Sequence, residues 1–433
     1  MSRVARTPAR SSTIPKSVRC LTAALLAWGL PGACKATPPE AAEPAAAPLG
    51  ALVVPSEGLQ ADLAATEAFL DTRPRYERPL RESGLSGVPG VGALSAEACR
   101  ACHAEIYDEW RVSVHSQAWL DPQYQAEIAK SGNRWLCLNC HTPLLIQHDR
   151  WPRGLLEGDV ERPVLTDNPS FDPRLRDEGI TCTACHLQDG VIHGPGLPRA
   201  EGDPAPPHAV VADPRFQGPD LCLECHQAEA IYEGKTFICT FQTGDEWRAG
   251  PYDDEGRTCV TCHMPPIERP AARGGPVRTV RRHWWRGAGI PKSVDRSTPP
   301  EANPPGLDLT AVVDDAALQV TMTNANAGHR LPTGDPERWV QVDVQFFAGG
   351  TAIGTPWSHR MGQTWEWTAP PRKLADNRLA PRESRVQRVA IPPGATRAVV
   401  VAASHRISAE VATHHRLGDY PRSIETHRLE VGL

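Results

Sequence analysis

Five short stretches with the pattern Cys-x-x-Cys-His constrain this chain more than any other feature of its sequence. In such a stretch two thiols add across the two vinyl groups of one haem, and the following His reaches the iron as its proximal ligand. The sequence therefore predicts five covalently attached haem c groups. The predicted attachment residues are Cys99, Cys102, Cys137, Cys140, Cys182, Cys185, Cys222, Cys225, Cys259 and Cys262, and the predicted proximal ligands are His103, His141, His186, His226 and His263.

Structural zinc is the alternative for these cysteines, because two Cys-x-x-Cys pairs can together bind one zinc ion. A zinc site does not require a His after every second Cys, whereas haem attachment does. All five stretches have that His, and they recur at fairly even intervals between Cys99 and His263. The pattern therefore favours haem over zinc.

The composition limits the other possibilities. A length of 433 residues allows two or three domains, and 43 Pro with 35 Gly favour a loop-rich chain over long helices. A formal net charge of −5 and the lack of a basic patch predict no binding to nucleic acid.

Three cysteines stand outside the five stretches: Cys20, Cys34 and Cys239. We interpret Cys239 as a buried free thiol.

The N-terminal segment predicts export, which the attachment of haem outside the cytoplasm also requires. A region with five basic residues and no acidic residue precedes the apolar run 21–30, which is too short to span a bilayer. We therefore predict that residues 1–33 are a signal peptide. The location that follows is the periplasm of a bacterium or its membrane surface.

The end of the apolar run resembles a lipoprotein signal. It reads Leu30-Pro31-Gly32-Ala33-Cys34, so Cys34 is the predicted lipidation site. Pro31 stands where an aliphatic residue is usual, and ordinary cleavage near Ala33 to Ala36 is the alternative. Lipidation would anchor the protein to a membrane through several acyl chains, whereas ordinary cleavage would release a soluble protein.

Three regions follow the predicted signal peptide. Residues 34–94 form an Ala/Pro-rich tether and linker, residues 95–304 a pentahaem cytochrome c domain, and residues 305–433 a region of alternating polar and apolar residues. The predicted fold class is multidomain α+β. A loop-rich, mainly helical multihaem domain is followed by an antiparallel β-sandwich-like domain.

Capping residues and periodicity locate several elements. We predict one helix from Ser95 through the first motif to about Arg111, a second from Pro122 to Lys130, and a third from Asp220 to Tyr232. The predicted strands are 307–313, 317–323, 339–346, 386–391, 397–402 and 422–431.

Each iron needs a sixth ligand or keeps an open position, and eleven of the 16 His lie outside the motifs. Sequence context selects five of them as predicted distal ligands. His115 lies between two tryptophans, and basic and aromatic residues surround His283. Gly/Pro-rich loops contain the other three, which are His193, His208 and His329. His148 is the reserve candidate. We expect His414 and His415 to face solvent.

A short sequence occurs twice. Glu109-Trp110-Arg111 follows the first motif, and Glu246-Trp247-Arg248 precedes the fifth. Tryptophans that lie against haem edges would explain both copies. Ordinary core aromatics are the equal alternative.

The chain resembles the multihaem cytochromes of the cytochrome c-554 and hydroxylamine oxidoreductase superfamily. The segments that resemble this group are 105–116, which contains Glu105-Ile106-Tyr107-Asp108-Glu109-Trp110, then Glu178-Gly179-Ile180-Thr181 and Met264-Pro265. Segments 328–334 and 376–383 resemble loops of exported multihaem cytochromes with a C-terminal β-domain. The resemblance implies electron transfer through closely stacked, mostly bis-His haems, and it supports His115 and His329 as distal ligands.

These observations predict an exported pentahaem c-type cytochrome that transfers electrons to or from partner redox proteins, such as other cytochromes. The alternative is a multihaem oxidoreductase that acts on a small nitrogen or sulfur compound at one open-coordinate haem. Pentahaem nitrite reductases typically have Lys as the proximal ligand of the catalytic haem, and no Cys-x-x-Cys-Lys occurs here. Relatives of hydroxylamine oxidoreductase keep the His, so the sequence leaves an enzymatic role open.

Overall fold

The computed structural model describes residues 91, 93–130, 134–156, 159, 162–188, 190–196, 201–203, 205–231, 238–293, 296–368 and 371–433. All of them lie in one compact unit, Leu49–Leu433. The predicted signal peptide, the lipidation site Cys34 and the predicted tether up to residue 90 fall outside the described residues. Those predictions, like the domain boundaries, stay predictions.

Short helices contain most of the cysteine motifs. In chain order the helices are α1 Ala96–Arg100, α2 Ala104–Arg111, α3 Pro122–Lys130, α4 Arg134–His141, α5 Pro173–Asp177, α6 Cys182–His186, α7 Asp220–His226, α8 Thr243–Arg248, α9 Cys259–His263 and α10 Ala409–His414. The two Cys and the His of a motif are residues i, i+3 and i+4. A helical turn therefore places all three on one face, as attachment to a single haem requires.

The helix predictions are confirmed in part. Helix α3 has the predicted bounds. The first predicted helix is instead two, because His103 leaves the helical region with φ −107° and ψ 44°. Helix α7 begins where expected but ends at His226, since a strand that pairs with a later segment begins at the next residue.

Small sheets lie between the motifs and directly after the fifth, and sequence analysis did not predict them. Their strands are β1 Arg150–Leu155, β2 Pro163–Asp167, β3 Leu187–Gln188, β4 Val191–Gly194, β5 Val210–Ala212, β6 Gln227–Ile231, β7 Ile238–Gln242, β8 Pro266–Pro270 and β9 Val277–Arg281. Hairpins β1–β2, β6–β7 and β8–β9 are antiparallel, while β4 pairs with β3 antiparallel and with β5 in parallel. Hairpins β1–β2 and β6–β7 hold together segments between motifs, and hairpin β8–β9 follows the fifth motif.

Two antiparallel sheets form the C-terminal region. The strands are β10 Leu307–Asp314, β11 Ala317–Asn324, β12 Trp339–Ala348, β13 Thr351–Glu366, β14 Arg372–Asp376, β15 Ser384–Ala390, β16 Arg397–His405 and β17 Ser423–Gly432. One sheet has the order β10-β11-β15, and the other has the order β14-β13-β12-β16-β17. Six of these strands match the predicted ones, and β13 and β14 were not predicted.

The core of this region lies between the two sheets. Leu318, Val320 and Met322 alternate along β11 and are fully buried, and Val342 and Val344 of β12 are buried in the same cluster. Each such side chain contributes about 1.5–3 kcal/mol by leaving water. The α+β fold class with an antiparallel β-rich C-terminal region is confirmed.

Candidate haem-ligand sites

Four of the five predicted proximal histidines are oriented by hydrogen bonds from Nδ1, the ring nitrogen nearer the backbone. The Nδ1–H of His103 donates to Ala271 O at 2.7 Å, that of His141 to Ala118 O at 2.9 Å, and that of His186 to His193 O at 2.8 Å. The Nδ1–H of His263 donates to Arg286 O. A carbonyl can only accept, so each of these bonds fixes the tautomer that leaves Nε2 free to bind a metal ion.

Four of the proximal rings each face a second His ring. Two imidazoles that bind one metal ion through nitrogens about 2 Å from it have ring centres about 6 Å apart. The four ring-centroid distances are 6.5 Å for His103–His208, 6.2 Å for His226–His115, 6.4 Å for His186–His283 and 6.2 Å for His263–His329. Each pair therefore has the ring spacing that an iron ion bound by two histidines requires.

The electrostatics of these rings also suits metal binding. Burial lowers the pKa of His115 to about 3 and the pKa of His226, His283 and His329 to about 4. Such rings are neutral near pH 7, and only a neutral imidazole has a free lone pair for a metal. The buried Nδ1 of His115 has no hydrogen-bond partner among the described residues.

His141 differs from the other four proximal histidines. The ring of Tyr124 stacks on it, with centroids 3.7 Å apart and an interplanar angle of 2°. All 16 His of the chain are among the described residues, and none of their rings pairs with that of His141. The motif of Cys137 and Cys140 therefore has a proximal His without a facing histidine.

Two other candidate ligands lie elsewhere. His193 faces Asp213, with Nδ1 3.2 Å from the carboxylate, and the structure does not bring its ring to a proximal ring. The guanidinium of Arg215 hydrogen-bonds that carboxylate and lowers the pKa of Asp213 to about 2. The reserve candidate His148 is buried, and its Nε2–H donates to Thr142 O at 2.7 Å.

The motifs contact one another in pairs. Cys99 of the first motif lies beside Cys182 of the third. Cys222 of the fourth motif likewise lies beside Cys259 of the fifth. The attachment points of two haems are therefore adjacent in each pair.

Two buried carboxylates that the sequence did not single out as functional lie beside predicted distal ligands. Glu109 accepts a hydrogen bond from the backbone N–H of His283, and Glu246 accepts one from Thr333, four residues after His329. Burial raises the pKa of Glu109, but hydrogen bonds from Arg269 and His283 outweigh this effect and its net pKa lies below the usual value. The repeated Glu-Trp-Arg sequence was the signal that could have identified both.

The described residues offer no alternative cluster for zinc. Structural zinc is bound by four side chains around one point. Within the described ranges, no group of three or more His, Cys, Asp or Glu side chains is placed to hold a metal ion.

None of the described helices has both the length and the apolar character needed to cross a membrane.

Comparison with known proteins agrees with the motifs. Residues 98–155 match the family described as cytochrome c554 and c-prime. The crystal structure of a penta-heme cytochrome c552 from Thermochromatium tepidum is similar in fold, with a TM-score of 0.55 and 21% identity, and the match covers 78% of this chain and 98% of that chain. None of the curated proteins compared with the chain matches it.

Together with the five motifs, the family match over residues 98–155 and the similar fold support a multihaem c-type cytochrome with haem c as its cofactor. The resemblance to cytochromes of the c554 kind is thereby confirmed.

Proposed function

We propose that this protein holds five haem c groups and transfers electrons through them, with four of the irons bound by two histidines each. Haem c supplies an iron that alternates between the ferric and ferrous states. The observation that supports the proposal is the set of four His pairs at 6.2–6.5 Å. An iron with two His ligands has no free position for a substrate, so such sites exchange electrons.

The adjacent motifs suggest the order of transfer. The contact between Cys99 and Cys182 supports exchange between the first and third haems, and that between Cys222 and Cys259 supports exchange between the fourth and fifth. Hydrogen bonds donated by Nδ1–H to backbone carbonyls hold four of the proximal rings in one orientation, and such bonds tune the electron density at the iron.

The proposal includes export and a redox partner. The positively charged segment and apolar run at residues 1–33 support export to the periplasm, and Cys34 is the proposed site of a lipid anchor. The partner is another redox protein, such as a cytochrome. Mass spectrometry of the mature protein tests the anchor, because lipidation adds the mass of acyl chains to an N-terminal Cys34, whereas ordinary cleavage adds none.

Electron paramagnetic resonance of the oxidised holoprotein tests the ligand assignment, with haem counted by mass spectrometry. We expect five haems, of which four give low-spin signals typical of two axial histidines. Fewer than four low-spin haems in a fully loaded protein would contradict the proposal.

A second function is supported by the environment of His141. This ring faces no second histidine among the described residues, so the haem of Cys137 and Cys140 is the candidate for an open iron. An open iron could act on a small nitrogen or sulfur compound. Adding nitrite, hydroxylamine or sulfite would then shift a high-spin signal of one haem. A spectrum that none of these compounds changes would exclude this second function and leave electron transfer alone.

A further inference from the structure

A longer sequence pattern repeats around the third and fifth motifs. Each Glu-Trp-Arg sequence precedes a Gly-x-Thr-Cys-x-x-Cys-His segment, which begins at Gly179 in one copy and at Gly256 in the other. Both glycines have positive φ, 60° and 67° respectively. The Thr of each copy, Thr181 or Thr258, is the N-cap of the helix that contains the motif. The two segments thus share their backbone conformation as well as their sequence.

The tryptophans make equivalent hydrogen bonds. The indole N–H of Trp110 donates to Ile180 O at 2.8 Å, and that of Trp247 donates to Arg257 O at 3.0 Å. In both copies the acceptor is two residues before the first Cys of the motif. Each buried Trp therefore fixes the start of the helix that presents a proximal His.

The glutamate before each of these tryptophans contacts the segment that contains the predicted distal histidine of the same haem site. Glu109 accepts from the backbone N–H of His283 at 2.8 Å, and His283 faces the proximal His186. Glu246 accepts from Thr333 Oγ1 at 2.6 Å, in the loop that also contains His329. His329 faces the proximal His263.

Arginines form ion pairs with both glutamates. Arg269 forms a bidentate pair with Glu109, with distances of 2.7 and 2.8 Å, and Arg282 adds a bond of 2.7 Å. Arg378 pairs with Glu246 at 2.7 Å, and it also donates to Pro332 O at 3.1 Å. Charge-assisted bonds of this kind are the stronger ones in proteins, so each carboxylate is held firmly beside its distal-histidine segment.

We propose that Glu109 and Glu246 are equivalent positioning residues, each of which fixes the distal-histidine segment of one haem and lowers the reduction potential of that haem. The Trp that follows each Glu fixes the proximal helix of the same haem. This inference rests on the proposed function, since it takes His186–His283 and His263–His329 as ligand pairs. A negative charge near an iron favours the ferric state, which is why the carboxylate lowers the potential.

The test replaces each carboxylate with its neutral isostere in the holoprotein. Glu109→Gln and Glu246→Gln remove one charge each, and Glu97→Gln and Glu255→Gln are matched controls at exposed carboxylates that pair with other arginines, Arg100 and Arg382. A redox titration monitored by electron paramagnetic resonance measures the midpoint reduction potential and the low-spin g values of every haem. In each Gln variant we expect the midpoint reduction potential of one haem to rise, and the affected haem should differ between the two variants. The controls should show no such shift.

Midpoints that stay unchanged in both variants, or that rise equally for all haems, would overturn the positioning role. If either Gln variant fails to assemble, Thr333→Val keeps the charge of Glu246 and removes the hydrogen bonds of the Thr333 hydroxyl to Glu246 and to Thr243. We then expect altered g values for one low-spin haem, and unchanged g values would overturn the inference. A wild-type spectrum without low-spin signals would instead contradict the proposed function itself.

Discussion

The rings of His263 and His329 lie 6.2 Å apart with an angle of 19° between their planes. His263 belongs to the fifth cysteine motif, whereas His329 lies in the loop between strands β11 and β12. Asn324, at the end of β11, donates to the carbonyl of His329 at 2.8 Å and so holds this loop. The β-rich region therefore presents a candidate ligand to a motif far away in the sequence.

Replacing His329 with Ala should leave one haem without its sixth ligand. We expect about one fifth of the haem to change from low-spin to high-spin in the electron paramagnetic resonance spectrum, while the haem content stays the same. His414→Ala is the control, because His414 is exposed on α10. A His329→Ala spectrum identical to that of the wild type would show that this ring does not bind iron.

Tyr420 joins the C-terminal region to helix α3. Its hydroxyl donates to Asp121 at 2.7 Å, directly before the helix, and accepts from Arg406. Asp121 also pairs with Lys292, whose pKa burial lowers well below its usual value. Tyr420→Phe leaves these buried groups with one partner fewer, which costs about 1–3 kcal/mol.

Thermal unfolding of the holoprotein measures that cost as a lower Tm. Tyr107→Phe is the control, because the Tyr107 hydroxyl bonds to the exposed Glu97 and its removal should cost the protein little stability. Equal Tm values for the two variants would contradict the importance of the Tyr420 contact.

His148 should make stability depend on pH. Burial lowers the pKa of this ring from 6.5 to about 4, so the unfolded chain binds a proton at a pH where the folded protein does not. The stabilisation is complete above pH 6.5 and falls as the pH drops towards 4, by as much as about 3 kcal/mol. His148→Gln removes this dependence.

Denaturant unfolding at pH 7 and at pH 4.5 measures the effect. We expect the wild type to lose more stability between the two values than His148→Gln loses. His414→Gln, at an exposed ring, should behave as the wild type does. Parallel losses in the wild type and in His148→Gln would show that His148 does not titrate in this range.

The sequence predicted the local features of this protein better than the long-range ones. The periodicity of residues 317–323 predicted β11 because one face of that strand is buried in the core. Strand β13 was missed because most of its residues are exposed or partly exposed, so its sequence lacks a clean alternation. Helix α7 was predicted too long, because the pairing of β6 with β7 depends on a segment further along the chain.

For the candidate ligands too, the sequence predicted local features but not long-range contacts. Context selected five histidines, of which His115, His208, His283 and His329 each lie opposite a proximal ring, whereas His193 contacts Asp213 instead. No sequence signal told which ring each would face, because the facing residues come together only through the tertiary fold. The expectation that His415 faces solvent was wrong, because its ring is buried and pairs with Glu127 at 2.9 Å.

Gly179 should tolerate a side chain less well than its repeat equivalent Gly256. Both have positive φ, so an Ala at either position costs about 1–2 kcal/mol in backbone strain. A Cβ at Gly179 would also lie 2.8 Å from His115 O and 3.0 Å from Ala118 N, whereas nothing lies within 4 Å of a Cβ at Gly256. Because these neighbours are backbone atoms, they can make room only by moving the segment that contains His115.

We therefore expect Gly179→Ala to lower the Tm of the holoprotein clearly more than Gly256→Ala does. The displaced segment contains the candidate ligand His115, so Gly179→Ala should also change the low-spin g values of one haem. Gly256→Ala should leave all g values unchanged, since its effect is confined to backbone strain. Equal losses of Tm with unchanged spectra in both variants would show that the close approach at Gly179 does not hold His115 in place.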